Sequence, residues 1–300
     1  MLEKFTTDID EKPEFRSVTI IDKNQLSGIV KKRTIHIPND TMRKVHKRFL
    51  SYLRRYSPAL PYATGARLGM SPIGDIRRHY GNRFFYLLDI KNAFSSVDKN
   101  KIVEILIAVR TELGNDGGEA LGSFLGSYFF VPSGGLAVGG PASPDLFNIY
   151  TGVLIDKEMG ALCRELGITY SRYLDDLTFS SKNLIRKDER KKIREIILKS
   201  DLVINHSKAQ VLDLKKGPIR IHGINLYQDS SISLPRDFMT SLRGQLFCAL
   251  KGRDINPDKI NGMMGVFKSV VKRKYKPETA TEKTIMRLYS AYRQRGLNKK

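Results

Sequence analysis

Five consecutive apolar residues, from Phe84 to Leu88, lead directly into an aspartate, Asp89. A run this short and this uniformly apolar fits a central strand buried on both faces, because a strand with one wet face alternates apolar and polar side chains. Farther along, Ile168 to Tyr173 and Leu177 to Ser180 flank Leu174-Asp175-Asp176, which predicts a tight hairpin with two carboxylates at its tip. If the two strands are neighbours, Asp89 meets Asp175 and Asp176. Such a cluster is unstable by itself, since like charges a few ångströms apart resist joint ionisation. A divalent cation removes the conflict, and magnesium prefers hard oxygen ligands, commonly carboxylates completed by substrate phosphates. An Asp-Asp pair is also what an ordinary solvated turn contains. The apolar-aromatic Tyr173-Leu174 before this pair and the second strand after it set it apart.

The remaining pattern predicts an α+β order, with helices packed on one face of an antiparallel sheet. Alternating stretches from Ser17 to Asp22 and from Thr34 to Pro38 suggest an opening hairpin. A basic amphipathic helix follows from about Asp40 to Tyr56, with Met42, Val45, Phe49, Leu50 and Leu53 on its apolar side. After Ser96 or Asp98 as a cap, Ile102, Val103, Ile105, Leu106 and Val109 recur at helical spacing. Ser143 and Pro144 read as a cap and first helical residue for a helix running through Leu146, Phe147, Tyr150, Leu154 and Met159. A charged helix is expected from about Leu184 to Leu198, then strands from Ala209 to Leu212 and Ile219 to Leu226, then a helical tail opened by Pro235.

Charge narrows the partner. Lys plus Arg total 52 against 31 Asp plus Glu, a formal charge of +21, and polyanions gain from basic residues that displace their counterions. From Lys31 to Arg55 nine basic residues face one acid, and from Arg236 to Lys300 sixteen face five. Cys163 and Cys248 sit in apolar helical patterns, which packing explains better than a disulfide or zinc site. No apolar run is long enough to span a bilayer and the start MLEKFTTDIDEK lacks the apolar stretch of a signal peptide, so a cytoplasmic protein without membrane attachment is expected.

Tyr173-Leu174-Asp175-Asp176, with Asp89 in Leu-Asp-Ile-Lys-Asn-Ala-Phe upstream, resembles the third and first polymerase motifs of reverse transcriptases. The longer string from Arg172 to Ser180 is similar in particular to bacterial retron enzymes and their group II intron-type relatives. Further segments follow in that family's order. Lys31 to Pro38 resembles the fingers hairpin that grips the incoming triphosphate, and Gly139 to Pro144 with Asn148 the loop and helix beneath template and nucleotide. Asn205 to Lys208 resembles the fourth motif, and Ile221 to Ile224 the primer grip.

The resemblance implies a right-hand polymerase with fingers over 1–80, a palm over 81–228 and a small helical thumb over 229–300. It implies RNA-directed DNA synthesis that extends a primer 3′-hydroxyl with two Mg2+ ions, Mn2+ being a substitute. Asp89, Asp175, Asp176 and the backbone carbonyl of Ile90 then become metal ligands, and Lys208 the proton donor to the leaving pyrophosphate. Arg33 and Lys32, with Lys23 and Lys31 beside them, would hold the triphosphate, though the lysines also suit a water-facing position; Gly139 and Pro141 would belong to the nucleotide site, where Gly134, Gly135, Gly139 and Gly140 would let backbone approach, a composition that equally suits a flexible surface loop. Ala93 would belong to the nucleotide site, and the Phe94 ring would take the place of a steric gate against a ribose 2′-hydroxyl. From residue type alone Lys208 also reads as a solvated lysine, and Phe94 as a core aromatic. Lys268, Lys272, Arg273, Lys274 and Lys276 would line the duplex. Implied partners are a structured RNA template and primer, an RNA–DNA duplex, deoxynucleoside triphosphates and an effector protein in phage defence.

Three segments depart from the family pattern. Ala137 and Val138 stand where Pro-Gln is usual, Asp75-Ile76-Arg77-Arg78-His79 replaces Asn-Ala-x-x-His, and Ile221-His222-Gly223 replaces Val-Thr-Gly. An unclassified defence-associated reverse transcriptase therefore fits beside a retron enzyme. The rival readings are an RNA-directed RNA polymerase, which Phe94 opposes, and a non-catalytic RNA-binding palm, which the intact aspartates oppose.

Overall fold

The computed structural model of the chain describes residues 1–9, 12–23, 30–56, 60–272 and 279–297. Side chains of Lys23 and Lys31, and all of Arg273, Lys274 and Lys276, lie outside the described residues. Contacts divide the chain into two units, one comprising Met1–Asp75 and Phe85–Val211, the other Ile76–Phe84 and Leu212–Lys300.

In the first unit a short helix α1 (Glu3–Thr6) precedes the antiparallel hairpin of β1 (Phe15–Lys23) and β2 (Val30–Pro38), which is longer than the alternation alone predicts. Helix α2 (Asp40–Tyr56) begins where Asn39 Oδ1 accepts from Met42 N at 3.0 Å, and it buries Met42, Val45, Phe49 and Leu53 as its spacing requires. Helix α3 (Pro72–Arg78) carries the chain between units. Strand β3 (Phe84–Asp89) is followed by α4 (Lys99–Val109), and Asp98 rather than Ser96 supplies the cap, accepting from Lys101 N at 2.7 Å. Helix α5 (Gly118–Tyr128) has no counterpart in the sequence reading, because Gly118, Gly122 and Gly126 interrupt its apolar face of Leu121, Phe124 and Leu125.

Next come α6 (Ser143–Thr151), a π-helical turn over Gly152–Asp156, and α7 (Lys157–Glu165), so the single helix expected there carries an inserted residue. Ser143 is not the cap: it lies inside the helix, buried, and its hydroxyl has no hydrogen-bond partner among the described residues. Strands β4 (Thr169–Tyr173) and β5 (Asp176–Ser181) pair antiparallel with Tyr173 opposite Asp176. Helix α8 (Lys187–Lys199) starts later than predicted, where Glu189 folds back to accept from Arg186 N at 2.7 Å. With β6 (Gln210–Asp213) the sheet order is β4-β5-β3-β6, which places the hairpin strand β5 beside β3. One core joins Tyr86, Leu88, Tyr170 and Phe179 of the sheet to Leu106, Leu146, Tyr150, Ile155, Met159 and Ile193 of the helices. Cys163 is buried in it, and burial pushes its thiol up to about 12; neither cysteine is in a disulfide.

In the second unit the single strand predicted from Ile219 to Leu226 is two, β7 (Ile219–Ile221) and β8 (Ile224–Leu226), joined by a sharp turn and extended by β9 (Ile232–Ser233). His222 and Gly223 take φ of 50° and 76°, the positive pair that a type I′ hairpin needs. Helices α9 (Arg236–Leu250), α10 (Pro257–Val271) and α11 (Ala280–Leu297) follow, burying Leu242, Leu246, Ile260, Met264, Phe267 and Ile285. The two-pronged bond from Arg83 (2.8 and 2.7 Å) holds the Asp213 carboxyl down to about 2. Among the described residues no helix is long and apolar enough to cross a membrane.

His46 of α2 is fully buried against the Phe129 ring at 4.3 Å. Its Nε2 donates to Tyr128 O at 2.6 Å while Nδ1 accepts from Ala142 N at 3.4 Å, an arrangement available only to the neutral ring. Burial lowers its pKa from 6.5 to about 4. The unfolded chain therefore takes up a proton that the folded chain refuses, so stability is complete above pH 6.5 and falls as pH drops toward 4. The loss should approach about 3 kcal/mol. Denaturant unfolding of His46→Gln between those pH values should show a visibly flatter profile than the parent; superimposable profiles contradict the assignment.

Candidate active site

Asp89 closes β3 with 6% of its surface exposed, and backbone bonds grip the strand end from two sides. Asn205 N donates to Asp89 O at 2.8 Å and Lys91 N to Val203 O at 2.7 Å, while Ile90 N donates to Asp175 O at 2.9 Å. The last bond ties the hairpin tip to the end of the central strand. In the bridge between Ile90 and Ile204 both backbone groups of Ile90 face away from Ile204, so its carbonyl leaves on the hairpin side.

Both oxygens of Asp89 are engaged: Asn205 Nδ2 donates to Oδ1 at 2.9 Å, and Lys208 Nζ to Oδ2 at 2.5 Å. Asp175 is half-buried, and burial first, then the charge of Asp89, raises its carboxyl pKa, against the pull of Lys208 and Arg33. Asp176 opens β5 and is exposed. No set of three or more His, Cys, Asp or Glu side chains arranged to hold a metal ion occurs among the described residues. The chain thus contributes two neighbouring carboxylates here, with a third at the next position.

These residues fit a hard divalent cation. Magnesium is usually bound by one or two carboxylates, the rest of its shell being water and substrate phosphate, and the donors present are all oxygens. The ammonium of Lys208 occupies Asp89 as a cation would, and burial and the neighbouring charge of Asp89 raise the pKa of Asp175, so this spot favours positive charge.

Around this point Ala93 is buried and Phe94 half-buried, its ring stacked on Phe147 of α6 at 5.3 Å and 29°. Leu136 N donates to Phe94 O at 2.8 Å. Gly135, at φ 77°, passes so close that an added Cβ would stand 2.3 Å from Ser95 Cα. Gly135→Ala should therefore displace the backbone next to Phe94 and cost about 1–3 kcal/mol in an unfolding titration, whereas unchanged stability would contradict this packing.

The loop of Val138, Gly139 and Gly140 is strung between two elements, with His36 N of β2 donating to Val138 O at 2.7 Å and Ala142 N to His46 of α2. A Cβ on Gly139 would meet Ile35 Cγ2 at 2.7 Å. Val138 is 37% exposed and Pro141 half-buried. Lys32 and Arg33 are exposed on β2. Asn148, in the helix of the second motif, is buried, donating to Gly65 O at 2.9 Å and accepting from Arg172. Sequence reasoning gave Asn205, Arg172 and His46 no individual role, although Asn205 opens the segment resembling the fourth motif and Arg172 the string resembling retron enzymes.

An α+β chain whose central strand and neighbouring hairpin both end in aspartates is what a palm-type polymerase would present, and the comparisons agree. A reverse transcriptase (RNA-dependent DNA polymerase) family model matches residues 21–226, and the chain belongs to that family. It is 26% identical over 250 residues to the retron Mx65 reverse transcriptase of Myxococcus xanthus, covering 79% of this chain but 58% of that protein. To the retron Ec83 reverse transcriptase of Escherichia coli it is 24% identical over 241 residues, covering 78% and 76%. A solved telomerase from Candida albicans, in complex with a fragment of telomeric RNA, matches 95% of this chain and 61% of that one at a TM-score of 0.51 and 11% identity, which speaks to the fold alone. Reverse transcriptases as a family use divalent metal ions.

Proposed function

We propose that this chain is an RNA-directed DNA polymerase of the retron type, extending a primer 3′-hydroxyl on an RNA template. The observation that carries the reading is the bond from Ile90 N to Asp175 O, which brings two aspartates together in a member of the reverse transcriptase family. Asp89 and Asp175, with Asp176 and the Ile90 carbonyl, would hold Mg2+ or Mn2+, which when bound supplies positive charge to the attacking oxygen and to the triphosphate. The chain's own groups do the rest. Arg33 and Lys32, exposed on β2, bind triphosphate oxygens, the guanidinium through its fork. Lys208 leaves Asp89 and delivers a proton to the departing pyrophosphate. The loop at Gly139 and Pro141 offers backbone to the nucleotide, and the Phe94 ring, fixed by Phe147, excludes a 2′-hydroxyl.

In this reading the chain is used as fingers (1–80), palm (81–228) and thumb (229–300), with Lys268 and Lys272 of the thumb along the RNA–DNA duplex. Binding of that duplex draws on the charge of +21. The retron part of this reading is supported by relatives named retron reverse transcriptases. A structured RNA as template and primer, a bacterial cytoplasmic setting and an effector protein in phage defence complete the proposal. Incubating the purified chain and Mg2+ with a primed RNA template and either nucleotide set tests the proposal. Extension with deoxynucleotides is expected. A clear preference for ribonucleotides would establish the RNA polymerase instead, and RNA binding without extension by either set would establish a non-catalytic palm.

A further inference from the structure

A guanidinium without solvent contact lies directly behind the hairpin tip. The Arg172 side chain is 0% exposed and that of Asp156 3%. Nε donates to Asp156 Oδ1 at 2.9 Å and Nη2 to Oδ2 at 2.7 Å, while the Tyr170 hydroxyl donates to Oδ1 at 2.7 Å. The remaining donor, Nη1, reaches Asn148 Oδ1 at 2.9 Å and the backbone carbonyl of Leu174 at 3.1 Å. The backbone of Arg172 is itself held, its carbonyl accepting from Thr64 N at 2.8 Å and Thr64 Oγ1 at 3.1 Å.

Leu174 is the residue that needs holding. Its φ is +56°, a left-handed conformation that a side chain disfavours, and Asp175 follows it directly. Gly65 backs the same residue, since a Cβ there would stand 2.7 Å from Leu174 N. Asp156 reaches Arg172 from the last position of the π-helical turn, where one inserted residue shifts the phase of the helix. A buried ion pair returns little net stability, because desolvation offsets the attraction, and apolar residues of similar volume often serve as well. What the fork does that an apolar pair cannot is fix a carbonyl in the turn.

Resting on the metal-site reading of Asp89 and Asp175 above, we propose that Arg172, clamped by Asp156 and Asn148, is a positioning residue that sets where Asp175 stands against Asp89. Asp156 acts on the site only through Arg172.

Two variants test this. Arg172→Met combined with Asp156→Leu replaces the pair by apolar groups, and Arg172→Lys keeps the charge without the fork. The readouts are binding of Mn2+ alone, followed by electron paramagnetic resonance, and single-turnover primer extension against deoxynucleotide concentration. The double variant should fold with a lowered unfolding midpoint, because the Tyr170 hydroxyl and Asn148 Oδ1 lose their partners, and should bind Mn2+ about tenfold more weakly and extend about 100-fold more slowly, with nucleotide half-saturation changed by less than about twofold. Arg172→Lys should move in the same direction. Parental Mn2+ affinity and rate in a folded double variant overturn the proposal; if that variant does not fold, the same result for Arg172→Lys does so. Asp175→Asn, run in parallel, separates the two readings: unchanged Mn2+ binding and extension there would mean that the metal site is wrong, whatever Arg172 does.

Discussion

Asp175→Asn should lower primer extension by about 1000-fold or more while leaving the metal-free chain slightly more stable than the parent. The first effect follows from charge, since asparagine has the shape of aspartate but cannot neutralise a divalent cation, and metal charge stabilisation amounts to several kcal/mol at 1.36 kcal/mol per tenfold in rate. The second follows from the raised pKa of Asp175, caused first by burial and then by Asp89. A carboxyl whose folded pKa is raised favours the folded state as pH falls through that value, so above it the ionised group is a liability. A neutral amide removes that liability. Primer extension and thermal unfolding on the same preparation check both halves; retained activity, or a lowered midpoint without metal, would contradict the account of the site.

Phe94→Ala should admit ribonucleotides without abolishing synthesis. The ring is half-buried and stacked on Phe147, so truncation opens space on its exposed side and leaves Asp89, Asp175 and the Leu136 N to Phe94 O bond in place. Apolar surfaces reject one added hydroxyl by no more than about 100-fold, which bounds the selectivity that can be lost. The ratio of single-nucleotide incorporation with deoxy- and ribonucleotides measures it. A ratio equal to the parent's would show that the ring is an ordinary core aromatic.

How much of this was legible in the sequence depended on the range of the interaction. Strand β3 and the β4–β5 hairpin were legible, because burial on both faces and a polar tip between apolar arms leave local marks. The aspartates at their ends were legible for the same reason. Helix α5 was not, since glycines at one face mimic loop composition. The π-helical turn was invisible too, because one inserted residue barely disturbs the spacing of Leu146, Phe147, Tyr150, Leu154 and Met159. Nothing local pairs Arg172 with Asp156, and only the fold brings their side chains to 2.7 Å in a dry interior. The amide of Asn205 on Asp89 and the neutral ring of His46 under the Ala142 amide are likewise products of tertiary contact.

The most direct test of the central claim is anomalous diffraction from crystals grown with Mn2+, a primed RNA template and a non-hydrolysable deoxynucleotide. The account predicts metal density touching the carboxylates of Asp89 and Asp175, with Lys208 withdrawn from Asp89. Density only elsewhere, or a Lys208 still bonded to Asp89 beside a fully bound nucleotide, would contradict it.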